Sequence, residues 1–266
     1  MVRSRRPWLK TWLIRWVIRQ FKVDLAEAAS TDLNSYPNLN SFFVRNLRAG
    51  ARPLAEDEQA LLAPADGVVS EFGTITDGRL VQAKGQDFSL IDLLAGDSSL
   101  ADLFQQGEFC TVYLSPKDYH RVHMPIAGQL QQMIHVPGRL FSVQAATARA
   151  VPSLYARNER VVALFDTAAG PVAMILVGAI FVSSIETTWH GVVNPHGERS
   201  PLWQVDYPVI GPRSVELDRG AEMGRFNMGS TVIVLGSRGS IKWRDNLVSN
   251  TGVKMGEALG NWCEPR

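Results

Sequence analysis

Cysteine is scarce in this 266-residue chain. Cys110 and Cys263 are its only two, too few to frame a disulfide-stapled fold, and neither stands in a CxxC pair or a Cys/His cluster with zinc spacing. Long apolar runs are also missing. The best candidate, PVAMILVGAIFVSSI at 171–185, falls short of the roughly 18 residues a spanning helix needs and carries a central Gly, so it reads as buried strands. An uninterrupted apolar h-region with a small-residue cleavage site, the mark of a signal peptide, is not found. Internal repeats, low-complexity segments and an interdomain linker are lacking too. The last absence is local. Residues 1–22 contain no acid but seven bases, Arg3, Arg5, Arg6, Lys10, Arg15, Arg19 and Lys22, leaving 20 basic against 26 acidic groups in the rest. A basic arm on an acidic body points to a polyanionic partner for the arm alone.

What is present is ordinary in bulk: 45% hydrophobic and 20% charged residues describe a globular protein and exclude a fibrous or disordered one. The length favours one large domain with an appendage. At the helical period, Leu9, Leu13, Ile14, Trp16, Val17, Ile18 and Phe21 share one broad face, while Arg15, Arg19 and Lys22 fall on the other. Residues 1–22 therefore read as a basic amphipathic helix lying in a membrane interface, with Trp8 and Trp12 near its boundary. Fifteen residues reach roughly 22 Å, short of the ~30 Å hydrocarbon core. A helix packed on its own domain is the rival, disfavoured because such packing gives no reason to exclude acids. Nucleic acid is not expected, since no recognised module follows the arm and the body is acidic.

Residues 23–266 are expected to form a single catalytic domain. Up to about Leu103 helical and extended signals mix. Beyond Glu108, FCTVYLS, GQLQQMIHV, RVVALFD, STVIVLG and SIKWRD are short, β-branched or aromatic-rich, and bounded by turn formers. The fold class is α+β: a β-rich core, sandwich- or barrel-like with mixed sheets, and N-terminal amphipathic membrane-binding helices.

Three segments could carry chemistry: APADGVV around Asp66, YLSPKDYHRVHMPIAG around His120 and His123, and EMGRFNMGSTVIVLG around Ser230. Singly each is ordinary. Asp66-Gly67 could be a hairpin turn, the two histidines lack a third metal ligand, and a Ser after Gly is commonly a turn or strand residue. Together they offer Asp, His and Ser of a nucleophilic triad in the order 66, 123, 230. That set would also suit a membrane-associated serine hydrolase of lipid esters, but the G-x-S-x-G elbow is missing, because Val232 stands where its second Gly belongs.

With LVQAKGQDFSLIDLLAG, VPGRLFSV, LYARNERVVALFDT and VGAIFVSSIETTWHG between them, these segments resemble the bacterial-type, pyruvoyl-dependent phosphatidylserine decarboxylase proenzymes from about Val23 to Gly256. DYHRVHMP and GRFxxGSTVI are long signatures. The resemblance implies that Gly229-Ser230 is a self-cleaved bond, with His123 the base and Asp66 its orienting partner. Cleavage would divide the precursor into a large chain, 1–229, and a small chain, 230–266, that stay together. Ser230 would become a pyruvoyl group, the cofactor, with no metal. A Schiff base with phosphatidylserine in the bilayer would then release CO2 and leave phosphatidylethanolamine, with His120 implicated in decarboxylation. The resemblance further implies a homodimer on the cytoplasmic side of the cell membrane, attached peripherally to its anionic surface through residues 1–22. Two departures stand out: MGST replaces LGST, a volume-conserving change, and His135 occupies a position where an aromatic such as Tyr is expected, reading as a pocket or packing residue.

Overall fold

A computed structural model describes residues 6–180, 185–195, 200–227 and 230–264. Its centre is a nine-stranded sheet. Across it run Trp203–Asp206, Gly128–Val136, Arg160–Thr167, Gly170–Gly178, Ser230–Gly236, Glu108–Leu114, Gly67–Thr74 and Thr251–Val253, with Glu216–Leu217 also paired to Gly128–Val136. A second sheet orders Gly191–Val192, Ile185–Thr187, Glu222–Phe226 and Arg121–His123. The named strands pair antiparallel throughout. The expectation of mixed sheets is thus corrected. Short turns such as the one between Arg160–Thr167 and Gly170–Gly178 permit only antiparallel pairing, parallel neighbours needing a long crossover. Nor is there a closed barrel among the described residues, where Trp203–Asp206 and Thr251–Val253 remain as separate edges.

The central strands are apolar at nearly every position because both faces are covered. Val232, Val234, Met174 and Leu176 meet Val122, Ile185, Met223 and Phe226 of the second sheet. Ile233, Leu235, Ile175 and Val177 meet a layer containing Leu90, Leu93, Leu100 and Phe104, in which SLIDLLAG supplies the short helix Leu90–Leu93. The run beginning at residue 171 is accordingly a buried strand, Gly170–Gly178, while 181–184 lie outside the described residues.

The N-terminal helix is Pro7–Phe21, closed by Lys22 in the left-handed region, with its N–H on the Ile18 carbonyl. Its aliphatic face is already occupied. Leu13, Ile14 and Val17 pack with Val23, Tyr36, Leu39, Phe42 and Phe43, and Leu9, Ile18 and Phe21 lie against the same cluster. Lys10 turns inward and donates to the carbonyls of Asn34 (2.9 Å) and Tyr36 (2.6 Å). Trp16 does not join the aliphatic face. With Trp8 and Trp12 it forms an exposed ridge at i, i+4 and i+8, the three rings being 69%, 59% and 50% exposed in chain order. Among the described residues no helix is long and apolar enough to cross a membrane.

Candidate active site

One rim of the central sheet gathers the chemistry. Ser230 opens its strand, in register with Leu114 on one side and Gly178 on the other. Val68 pairs with Tyr113, which sets Asp66, just before Gly67, at the same rim. Asp66-Gly67 is no hairpin turn: Gly67 begins a strand, and a Cβ there would come within 2.3 Å of the Tyr113 carbonyl oxygen. His120 is tied in through its own carbonyl, which accepts from Phe226 N (3.0 Å), four residues before Ser230. His123 ends Arg121–His123 and pairs with Glu222. Gly229, the other half of the expected scissile bond, lies outside the described residues, as does Met228.

The Ser230 hydroxyl is fully buried and has no hydrogen-bond partner among the described residues. Both histidines are held in one tautomer by main-chain carbonyls. His120 Nδ1–H donates to Asp118 O (2.8 Å) and His123 Nδ1–H to Gly220 O (2.8 Å), so each Nε2 carries the lone pair. His123 Nε2 accepts from the Tyr119 hydroxyl (3.2 Å). His120 Nε2 is buried without a partner among the described residues, and its ring stands edge-on to Phe43 at 5.4 Å. Burial pushes His120 down to about 4 and also lowers His123, making His120 neutral at pH 7.

Asp66 is not brought into hydrogen-bond contact with His123. Its carboxylate accepts from Arg52 Nε (2.8 Å) and Nη2 (2.5 Å) and from Met255 N (3.0 Å). The Gly220 carbonyl takes the position on His123 Nδ1 expected for Asp66, which acts on His123 through its charge alone. Arg52 also grips Glu27 (2.6 Å), whose carboxyl it holds at about 2. Arg52 and Tyr119 were not singled out from sequence. Arg52 carried no pattern, whereas Tyr119 lay inside DYHRVHMP.

His135 proves to be more than packing. Its Nε2 meets Glu159 Oε1 at 2.9 Å and its ring lies 5.6 Å from that of Trp203. Glu159 O accepts from Gly178 N (2.8 Å), placing Glu159 two strands from Ser230, roughly 10 Å away, with His135 one strand further out. Burial alone would raise the Glu159 pKa, but hydrogen bonds from His135 and Asn194 outweigh it and lower it. Among the described residues no group of three or more His, Cys, Asp or Glu is placed to hold a metal.

The structure thus defines an antiparallel β protein whose candidate site combines a buried strand-start serine with two histidines at the neighbouring sheet. A family model described as phosphatidylserine decarboxylase matches residues 39–261. The chain is 53% identical over 257 residues to the phosphatidylserine decarboxylase proenzyme of Ectopseudomonas mendocina, covering 97% of this chain and 89% of that one. It is 53% identical over 260 residues to the proenzyme of the same description from Methylococcus capsulatus (98% and 89%) and 50% identical over 254 residues to that of Marinobacter nauticus (96% and 87%). The chain belongs to the phosphatidylserine decarboxylase family.

Proposed function

We propose that this chain is a self-processing phosphatidylserine decarboxylase that converts phosphatidylserine to phosphatidylethanolamine and CO2, using a pyruvoyl group made from its own Ser230. The observation that carries the proposal, in a chain of this family, is the Ser230 hydroxyl, buried and without a partner among the described residues. Complete burial also favours attack on a neighbouring peptide over attack on an external lipid ester, against the hydrolase alternative.

In the proposed self-cleavage, Ser230 Oγ attacks the Gly229 carbonyl and its proton passes to His123 Nε2, giving an ester and freeing the Ser230 amine. Loss of the Ser230 Cα proton then expels the Gly229 carboxylate, and the resulting dehydroalanine hydrolyses to the pyruvoyl group with release of ammonia. Gly220 O orients the base, and the Asp66 charge, fixed by Arg52, favours the imidazolium at longer range. The pyruvoyl group supplies the electron sink for decarboxylation. His120, neutral with an open Nε2, serves as proton carrier: it takes a proton within the site and returns it to the headgroup carbon that has lost CO2.

The same proposal places the protein peripherally on the anionic, cytoplasmic face of the cell membrane. The supporting surface is the Trp8, Trp12 and Trp16 ridge flanked by exposed Arg15 and Arg19, since the aliphatic face of the helix is buried internally. Mass spectrometry of the purified protein tests the chemistry. Two chains are expected, 1–229 and a 37-residue chain 230–266 that begins in a borohydride-reactive ketone, and Ser230→Ala should remain whole and inactive. An intact wild-type chain that turns over lipid overturns the proposal.

A further inference from the structure

A cavity of about 470 Å³ opens at the foot of the N-terminal helix, with Lys22, Arg45, Arg52, Asp66, Lys117 and Tyr119 in its wall. Its charges are unevenly satisfied. Arg52 is committed to Asp66 and Glu27, and Lys254 to Glu27 (2.6 Å). The remaining carboxylates of the wall accept from nearby groups of their own loops: Asp118 from Ser115 N and Oγ at 2.7 Å each, Asp24 from Ala26 N (2.8 Å) and Glu257 from Lys254 N (3.1 Å). Arg45 is different. It is 5% exposed; its guanidinium donates to two main-chain oxygens, Lys117 O (3.2 Å) and Phe42 O (3.5 Å), and lies 5.2 Å from the centre of the Phe42 ring, while Nε is buried without a hydrogen-bond partner among the described residues. No carboxylate of the described residues forms a salt bridge with Arg45, Lys22 or Lys117. Arg45 is thus a dehydrated cation with no ion pair of its own, offset only at longer range by the charges of Asp66 and Asp118, and an anion entering the cavity would supply the direct partner it lacks.

We propose that Arg45, Lys22 and Lys117 bind the phosphodiester of an anionic phospholipid in this cavity. The planar fork of Arg45 suits two oxygens of a tetrahedral phosphate, and the two exposed lysines add charge at the mouth. Position selects a lipid over free phosphate. Lys22 directly follows the helix that carries the tryptophan ridge, so the mouth lies beside the surface assigned to the membrane. Tyr119 forms part of the wall and hydrogen-bonds His123, leaving one side chain between cavity and active site, a suitable separation for a headgroup whose amine must reach Ser230. The assignment rests on the lipid substrate proposed above.

The test is titration of the full-length protein with dihexanoyl phosphatidylglycerol below its aggregation concentration, and separately with inorganic phosphate, at fixed ionic strength. Lys22→Gln with Lys117→Gln changes only exposed side chains and should weaken lipid binding about tenfold, as expected for loss of roughly 1.4 kcal/mol of charge-assisted contact. Arg45→Lys, which keeps the charge and loses the fork, should weaken it as well. Equal affinity of wild type and both variants overturns the proposal, and so does inorganic phosphate binding as tightly as the lipid. Mass spectrometry on the same samples separates the two claims. Cleaved protein that fails to bind lipid removes only this site, and uncleaved protein that binds it removes only the self-processing reaction.

Discussion

Replacing Asp66 by Asn separates two tasks that a triad motif merges. The Asp66 and Arg52 side chains are 9% and 5% exposed, and two of the three hydrogen bonds to the carboxylate come from Arg52. Breaking a buried ion pair from one side costs about 3–5 kcal/mol. Because Arg52 keeps Glu27, the lower figure applies, about 3 kcal/mol, which for a chain of this length is roughly 6–12 °C in the unfolding midpoint. The measurement belongs in a Ser230→Ala background, so that self-processing does not alter the chain being unfolded, using thermal and denaturant unfolding followed by circular dichroism. Arg52→Met should cost a similar amount, and the double variant less than the sum, because the two side chains share their bonds. An unchanged midpoint for Asp66→Asn, or strict additivity in the cycle, would refute the placement of Asp66 on Arg52.

Three further outcomes follow from the site and the helix. His120 titrates at about 4 in the fold against an ordinary value near 6.5. The unfolded chain therefore binds its proton first, and stability present above pH 6.5 is lost as pH falls toward 4, by up to about 3 kcal/mol. Denaturant unfolding across that window should show the loss, and His120→Asn should flatten it; an equal slope in the variant would contradict the burial of this ring. His123→Ala should leave the 266-residue precursor uncleaved, whereas His120→Ala should cleave yet release no CO2 from phosphatidylserine vesicles, as read by gel mobility and gas evolution. Trp8, Trp12 and Trp16 changed together to Ala should release the protein from anionic vesicles in flotation while the unfolding midpoint falls by no more than about 6 °C, three surface changes of up to about 0.5 kcal/mol each. Undiminished flotation would return this helix to a purely packing role.

Much of the fold was legible in the chain because strand and helix periods are local. STVIVLG, RVVALFD and GQLQQMIHV became the strands Ser230–Gly236, Arg160–Thr167 and Gly128–Val136, and both histidines and Ser230 could be marked as candidates by their neighbours along the chain. Pairing direction was not legible in any one strand; it follows from which segments meet and how short their connections are.

Residues 7–21 and Asp66 show where sequence stops. Amphipathicity by itself determined that the segment would be a helix with an apolar face, but tertiary structure decided that Phe42 and Phe43 cover that face and that the tryptophans remain outside. The segment around Asp66 determined that a carboxylate would stand beside a glycine, but not that this glycine would open a strand rather than turn the chain. Only the folded chain decided that Arg52, 14 residues earlier, would take that carboxylate and that Gly220, 97 residues beyond His123, would orient the imidazole. The physical reason is the same in both cases: periodicity and propensity act over a few residues, whereas the partner of a buried charge or apolar face is whichever group the packing brings there.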